Sequence, residues 1–323
     1  MLSQSQIAKI QDLPIEGDLV SAIDPAVRAS EGEVDAIVDR ALKGVAASTE
    51  KSARIGWGPP GSGKDTVMGE SDNALISYDE GPKDNGAIYA LPGYEQALKD
   101  IAPDYQGQMT PVSKNSFKAR SELWQSYQPL AQRVRYQIMK EALMRELPIN
   151  VSTTSCTAGN LKLIQLLRDL DYQSIEMVGA FAGFEVARER IYSRPRPGDE
   201  INDPVNKRIG ALAMFDDYVR EADLFTLYHN PENGKAPEPV AVFQEGEMIG
   251  VDSDGLNRVL ETVADDRDKI LQHLHDAGVL PHDLHRTMQK YDDAVTSFTQ
   301  CVNAIRTDVA QILSLEQFRP SQG

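Results

Sequence analysis

The chain has 323 residues, long enough for one large domain or two modest ones, with 41% hydrophobic and 25% charged residues as in an ordinary globular protein. Its formal net charge of −16 argues against general affinity for nucleic-acid backbones or anionic membranes, though it leaves room for a local basic pocket. Cys156 and Cys301 lie far apart and fit no metal or disulfide framework, which indicates a reducing compartment; the opening Met-Leu-Ser-Gln-Ser-Gln suggests neither a signal nor a membrane span, so a cytoplasmic setting is expected.

Residues 1–50 read as short helices. The clearest runs from Ser30, its cap, to Ala47, with Val34, Ile37, Val38, Ala41 and Leu42 on one apolar face. Ala53 to Met68 then reads as a strand that enters a glycine-rich loop and opens a helix: Gly58-Pro-Pro-Gly61-Ser62-Gly63-Lys64-Asp65-Thr66. This is the layout of a phosphate-binding P-loop. The glycines let successive N–H groups turn inward around a phosphate, and Lys64 adds positive charge toward the β- and γ-phosphates. The common pattern has a magnesium-ligating Ser or Thr directly after the lysine. Here Asp65 takes that position and Thr66 follows.

Ala74 to Asp79 is a second buried strand that delivers Asp79 to the carboxyl edge of a sheet, where ligands of open α/β sheets collect. Gly81 to Pro111 is a loop excursion with a short helix at Glu95–Asp100. Ser121 to Leu147 is helical, Pro148 to Ser155 a strand, Asn160 to Leu170 a helix and Ser174 to Phe181 a strand. A helix from Phe184 to Tyr192 gives way to Ser193-Arg-Pro-Arg-Pro-Gly198. Pro204 to Ala222 is a further helix, and the strand Leu224–His229 turns through Asn233-Gly234 toward Val240–Phe243 as a hairpin. Such alternation predicts a mainly parallel, three-layer α/β sheet. Leu256 to Ala277 is helical and stops at Gly278; Pro281 begins a last helix. In that helix Leu284, Met288, Tyr291, Val295, Phe298, Val302, Ile305, Val309 and Ile312 form a heptad seam, read as a helical hairpin folded on the main domain or on itself, or as a dimer or partner surface. The histidines His273, His275, His282 and His285 around Gly278 have no consistent ligand spacing and read as a solvated helix junction rather than a metal site. The expected division is 1–50 as a helical segment, 51–250 as a P-loop kinase domain and 251–323 as the hairpin.

Phosphoryl transfer needs a nucleotide cradle, a cation, a group that takes the acceptor's proton and positive charge on the transferring group. Asp79 is the leading base, with Glu80 behind it; its bland reading is a solvated strand end. Arg188, Arg190, Arg194 and Arg196 lie in one helix-to-loop passage and either grip phosphate or pair with Glu185, Glu189 or Asp199. Thr153, Thr154 and Ser155 stand where a P-loop ATPase often has an acid for magnesium. Mg2+ is therefore held by Asp65, by Thr66, or mostly by water and phosphate oxygens, unless Asp65 simply faces outward in the first helical turn.

The order of these pieces resembles the zeta-toxin family of P-loop kinases, over roughly residues 50–245. The matching positions are Gly58 to Thr66, Asp79, Thr154, Glu189-Arg190, and Arg194 or Arg196. The resemblance implies ATP-dependent phosphorylation of a sugar hydroxyl of UDP-N-acetylglucosamine, or of a ribose hydroxyl of NAD as in related effectors of plant-pathogenic bacteria. It implies that Lys64 holds the β- and γ-phosphates, Asp79 is the base, Thr154 orients the acceptor, and Arg190 with Arg194 or Arg196 stabilises transferred charge. It also implies a small antitoxin or chaperone that blocks the ATP site. The chain departs from the family at Asp65, at Ser152 where members usually carry an acid, and in its C-terminal hairpin, which suits a specialised effector. Two other readings stay open: a nucleotide or polynucleotide kinase, and a non-catalytic ATP-binding protein that works through its heptad helix.

Overall fold

A computed structural model describes residues 2–13, 27–48, 50–69, 73–76, 87–88, 90–101, 114–193 and 203–306. The chain opens with α1 (Gln4–Gln11) and α2 (Glu31–Ala41). Each begins with a capping box, Ser3 with Gln6 and Ser30 with Glu33, which satisfies backbone N–H groups that have no partner inside the helix. Val34, Ile37 and Val38 are buried as their spacing requires. The helix stops short of the expected Ala47 because the chain turns through Gly44 at φ +84°.

The centre of the molecule is a seven-stranded sheet in the order β2 (Ala74–Ile76), β3 (Ile149–Val151), β1 (Ser52–Trp57), β4 (Ser174–Phe181), β5 (Leu224–His229), β6 (Glu238–Gln244), β7 (Glu247–Val251). From β2 to β5 every pairing is parallel, and β6 and β7 add on antiparallel. Ala53 of β1 lies between Ile149 and Ile175, so the P-loop strand is interior to the sheet. Ala53, Ile55 and Trp57 are buried, as strands of a parallel sheet covered on both faces should be. The covering helices are α3 (Lys64–Met68), α4 (Tyr94–Ile101), α5 (Lys114–Met144), α6 (Gly159–Asp169), α7 (Phe184–Ser193), α8 (Asp203–Ala213), α9 (Phe215–Glu221), α10 (Ser253–Asp276) and α11 (Pro281–Arg306). This is the mainly parallel, three-layer α/β architecture with an added C-terminal helical hairpin that the sequence leads one to expect.

The structure differs from the sequence expectations at further places. Helix α5 begins at Lys114, before Ser121, and runs through Pro129. The helix expected over 204–222 is broken at Met214, where Phe215 swings into the core. Its ring lies edge-on to Trp57, Phe225, Phe243 and Phe298, with centroids 5.4, 5.2, 5.7 and 4.7 Å away. Aromatic pairs of this kind add about 0.5–1.5 kcal/mol each beyond area burial. Strand β7 was not expected. It is joined to β6 by Glu245-Gly246, both at positive φ as a tight hairpin turn requires.

The chain turns at Gly278 and restarts at Pro281 as expected, and α11 packs against α8, α9 and α10. Met288, Tyr291, Phe298 and Val302 of the seam are buried within this chain, while Val309 and Ile312 lie outside the described residues. His273 is not solvated: it is buried, with its ring 5.3 Å from that of Phe184. His275 and His282 are exposed beside Asp276 and Asp283. Among the described residues no group of three or more His, Cys, Asp or Glu could hold a metal ion, and no helix is long and apolar enough to cross a membrane.

The hairpin is joined to the core by a buried ion pair. Asp266 of α10 accepts from the Arg208 guanidinium and, at 2.8 Å, from the Phe184 backbone N–H that opens α7. Arg208 also donates to the Ala182 carbonyl at 2.7 Å and lies over the Phe181 ring. Burial pushes the Asp266 carboxyl above the usual range, while Arg208 and the Phe184 N–H pull the other way. Removing one partner of such a pair strands the other charge. Asp266→Ala is expected to cost about 3–5 kcal/mol in denaturant unfolding, and Asp266→Leu with Arg208→Met to recover most of it. A single-variant loss below about 1 kcal/mol would contradict this description of the pair.

Candidate active site

The site lies at the carboxyl ends of β1, β3, β4 and β5, where the strands hand over to loops. After Trp57 the chain turns through Gly58 to Gly63 and enters α3 at Lys64. At two of its glycines the loop has no room for a side chain. At Gly61, φ is +75° and a Cβ would stand 2.3 Å from the Ala187 carbonyl oxygen. At Gly63, φ is +86° and a Cβ would stand 2.1 Å from Asn230 Nδ2. The contact at Gly61 is with the backbone of α7 and cannot be relaxed by a rotamer change, while that at Gly63 is with the side chain of Asn230.

Lys64 is 6% exposed, so its ammonium is held at the loop rather than waving in solvent. Its Nζ lies 3.3 Å from Asp65 Oδ2. Ser62 Oγ is fully buried and has no hydrogen-bond partner among the described residues, and it sits 2.9 Å from where a Cβ on Gly58 would be. An unsatisfied buried hydroxyl beneath a loop of glycine amides fits an anion as the missing partner. Thr66, on the same turn, is exposed.

The exit of β3 is tied to the loop. The Gly58 N–H donates to the Thr154 carbonyl at 3.2 Å, and Ser155 Oγ donates to the Gly56 carbonyl at 2.6 Å. Ser155 holds φ +50°, unusual for a residue with a side chain, and Asn160 Nδ2 donates to both Thr153 Oγ1 and Ser155 Oγ at 3.1 and 3.0 Å. Thr154 is half-buried beside the cradle, with its hydroxyl 3.2 Å from Cys156 Sγ. One residue past β3, Ser152 donates from Oγ to Asp65 Oδ1 at 2.6 Å.

Arg190, on α7, reaches the loop from the other side. It donates to the Gly61 carbonyl at 3.2 Å, to Asn230 Oδ1 at 3.1 Å, to Asn233 Oδ1 at 2.6 Å and to the Glu232 carbonyl at 2.8 Å. In this arrangement it braces the loop. Arg188 instead faces away, paired with Glu185 and 3.5 Å from His273 Nδ1. Asn230 is the residue that sequence reasoning missed. It is 5% exposed, donates to the Ser62 carbonyl at 2.9 Å and accepts from Arg190, so one amide joins the P-loop to its brace. The only signal for it is a polar residue directly after a buried strand. Asp79, Glu80, Arg194 and Arg196 lie outside the described residues.

No protein-family model and no curated protein matches the chain. Solved structures similar to it include AvrRxo1-ORF1:AvrRxo1-ORF2 with sulphate ions, at TM-score 0.49 and 9% identity over 83% of this chain and 87% of that one. The AvrRxo1-ORF1:ORF2 complex with ATP is similar at TM-score 0.45 and 12% identity, over 84% and 89% of the two chains. The PezAT chromosomal toxin–antitoxin system of Streptococcus pneumoniae is similar at TM-score 0.42 and 16% identity, over 63% and 79%.

Asn230 satisfies two buried groups at once. Asn230→Ala should destabilise the protein by about 1–3 kcal/mol, because the Ser62 carbonyl and one Arg190 donor lose their partner. Asn230→Asp, which keeps only the acceptor for Arg190, should fall between alanine and the native residue. Thermal unfolding of the three proteins checks this order; equal stabilities would contradict a bridging role.

Proposed function

We propose that the chain is an ATP-dependent kinase of a small, nucleotide-type metabolite, working as a zeta-toxin-like toxin or effector. The observation that carries this reading is the braced glycine loop with buried Lys64, set at the carboxyl edge of a parallel sheet beside the β3 exit. Residues 51–250 form the kinase unit, with 1–50 as a helical segment packed on it and 251–323 as an added hairpin.

In this reading the loop amides and Lys64 receive the β- and γ-phosphates of ATP. Thr154 orients the acceptor, and Asp79 takes the proton of its hydroxyl. The acceptor oxygen then bonds to the γ-phosphorus as the bond to the β,γ-bridging oxygen breaks, and ADP leaves. Arg190, Arg194 and Arg196 supply positive charge near the transferring group, Arg190 chiefly by keeping the loop in shape. Asp65 and Thr66 are the residues that would hold Mg2+; hard oxygen donors suit that ion, and when bound it supplies charge neutralisation between phosphate oxygens. The acceptor is a ribose hydroxyl of NAD or a sugar hydroxyl of UDP-N-acetylglucosamine. The partner is a small antitoxin or chaperone protein that covers the ATP site. Burial of the heptad seam against this chain speaks against a non-catalytic protein that uses the seam as its working surface.

The test is mass spectrometry of the protein with ATP, Mg2+, NAD and UDP-N-acetylglucosamine. One acceptor should gain a single phosphate as ADP appears, and Lys64→Ala should abolish this. Asp79→Asn should slow it by about 100-fold or more, the usual weight of a positioned base. Phosphorylation of neither acceptor would overturn both substrates, and a product that survives Lys64→Ala would overturn the site.

A further inference from the structure

Two departures from the usual P-loop arrangement meet in space. The position after the lysine ordinarily carries a hydroxyl and here carries a carboxylate, Asp65. The end of the neighbouring strand, where an acid is ordinarily found, here carries a hydroxyl, Ser152. Taken separately, each looks like the loss of a magnesium ligand. In the structure they touch: Ser152 Oγ donates to Asp65 Oδ1 at 2.6 Å, while Lys64 Nζ lies 3.3 Å from Oδ2. Ser152 is 7% exposed, and its backbone N–H donates to the Ile76 carbonyl at 3.1 Å, so the sheet holds the backbone that carries the hydroxyl.

We propose that Asp65 and Ser152, with Ser152 in place of the exposed Thr66, form the magnesium-holding pair of this site with the two chemistries interchanged, the carboxylate coming from the loop and the hydroxyl from the strand. The inference rests on the kinase reading and deepens it. One carboxylate plus one hydroxyl is the same set of hard oxygen donors whichever element supplies which. A carboxylate that accepts from Ser152 and Lys64 is an oxygen donor of the kind this ion takes, and a serine that donates its proton still offers oxygen lone pairs.

The interchange has a consequence that a hydroxyl at position 65 would not have. A carboxylate next to the nucleotide's phosphates repels them unless a cation lies between. Asp65 should therefore weaken metal-free ATP and strengthen magnesium–ATP. Removing its charge should move the two affinities in opposite directions. A merely structural Asp65, holding the helix start through Ser152, would move both the same way.

The experiment is calorimetric titration of the whole chain with ATP, once in EDTA and once in Mg2+. For the native protein Mg2+ should tighten binding by about 100-fold, and Asp65→Asn should cut that ratio by about tenfold or more while improving binding in EDTA. Ser152→Ala, which leaves the carboxylate in place, should lower the ratio several-fold, and Asp65→Ser with Ser152→Asp should restore it. Equal weakening of both affinities in Asp65→Asn, or an unchanged ratio in both single variants, would overturn the interchange and leave the kinase reading standing. A restored fold with an unrestored ratio in the double variant would also overturn it. Native protein that binds no ATP in either buffer would overturn both.

Discussion

The geometry of the site depends on how closely its neighbours approach the backbone of the glycine loop. Gly61 lies against the Ala187 carbonyl, and Gly63 lies against the amide of Asn230, at separations no side chain could share. The loop is thus not simply permitted to curl; it is enclosed by α7 and by the segment after β5. Arg190 and Asn230 complete the enclosure with hydrogen bonds to the Gly61 and Ser62 carbonyls. Both carbonyls are thus taken up from outside the loop, and the Gly58 N–H is tied to the Thr154 carbonyl on the β3 side. Partly buried networks of this kind rigidify a site more than their separate bonds would suggest.

What holds the enclosing elements is the C-terminal hairpin. Asp266 reaches from α10 to the first backbone N–H of α7 and to Arg208 of α8, so a single carboxylate fixes the start of the helix that carries Arg190 and the helix that follows residues 194–202. Phe215 completes the joint, with its ring against aromatics of β1, β5, β6 and α11. The hairpin is therefore part of the scaffold behind the loop, and the apolar seam that could have served a partner is used within the chain.

The sequence made the loop legible because its chemistry is local: strand, glycines, lysine and helix follow one another without interruption. Ser30 and the parallel strands were legible for the same reason, as caps and buried runs announce themselves within a few residues. The brace was not legible. Arg190 could be listed among four arginines, but its partners Gly61, Asn230 and Asn233 lie about 40 to 130 residues away, and only the sheet order brings them together. Asn230 was marked only by its place directly after a buried strand. The break at Met214 is a case of tertiary packing overriding helix periodicity, since burying Phe215 outweighs one uninterrupted turn. Strand β7 was legible in hindsight from its alternating burial after Glu245-Gly246. Asp65 and Ser152 were each visible as departures, but their hydrogen bond, which gives the departures a common meaning, was not.

The most direct test of this account is a crystal structure of the chain with a non-hydrolysable ATP analogue and Mg2+. The account predicts triphosphate density inside the loop from Gly58 to Lys64, with Lys64 Nζ within hydrogen-bond reach of the β- or γ-phosphate and the Asn230–Arg190 brace unchanged. Nucleotide bound elsewhere, or a loop left empty at saturating analogue, would contradict it.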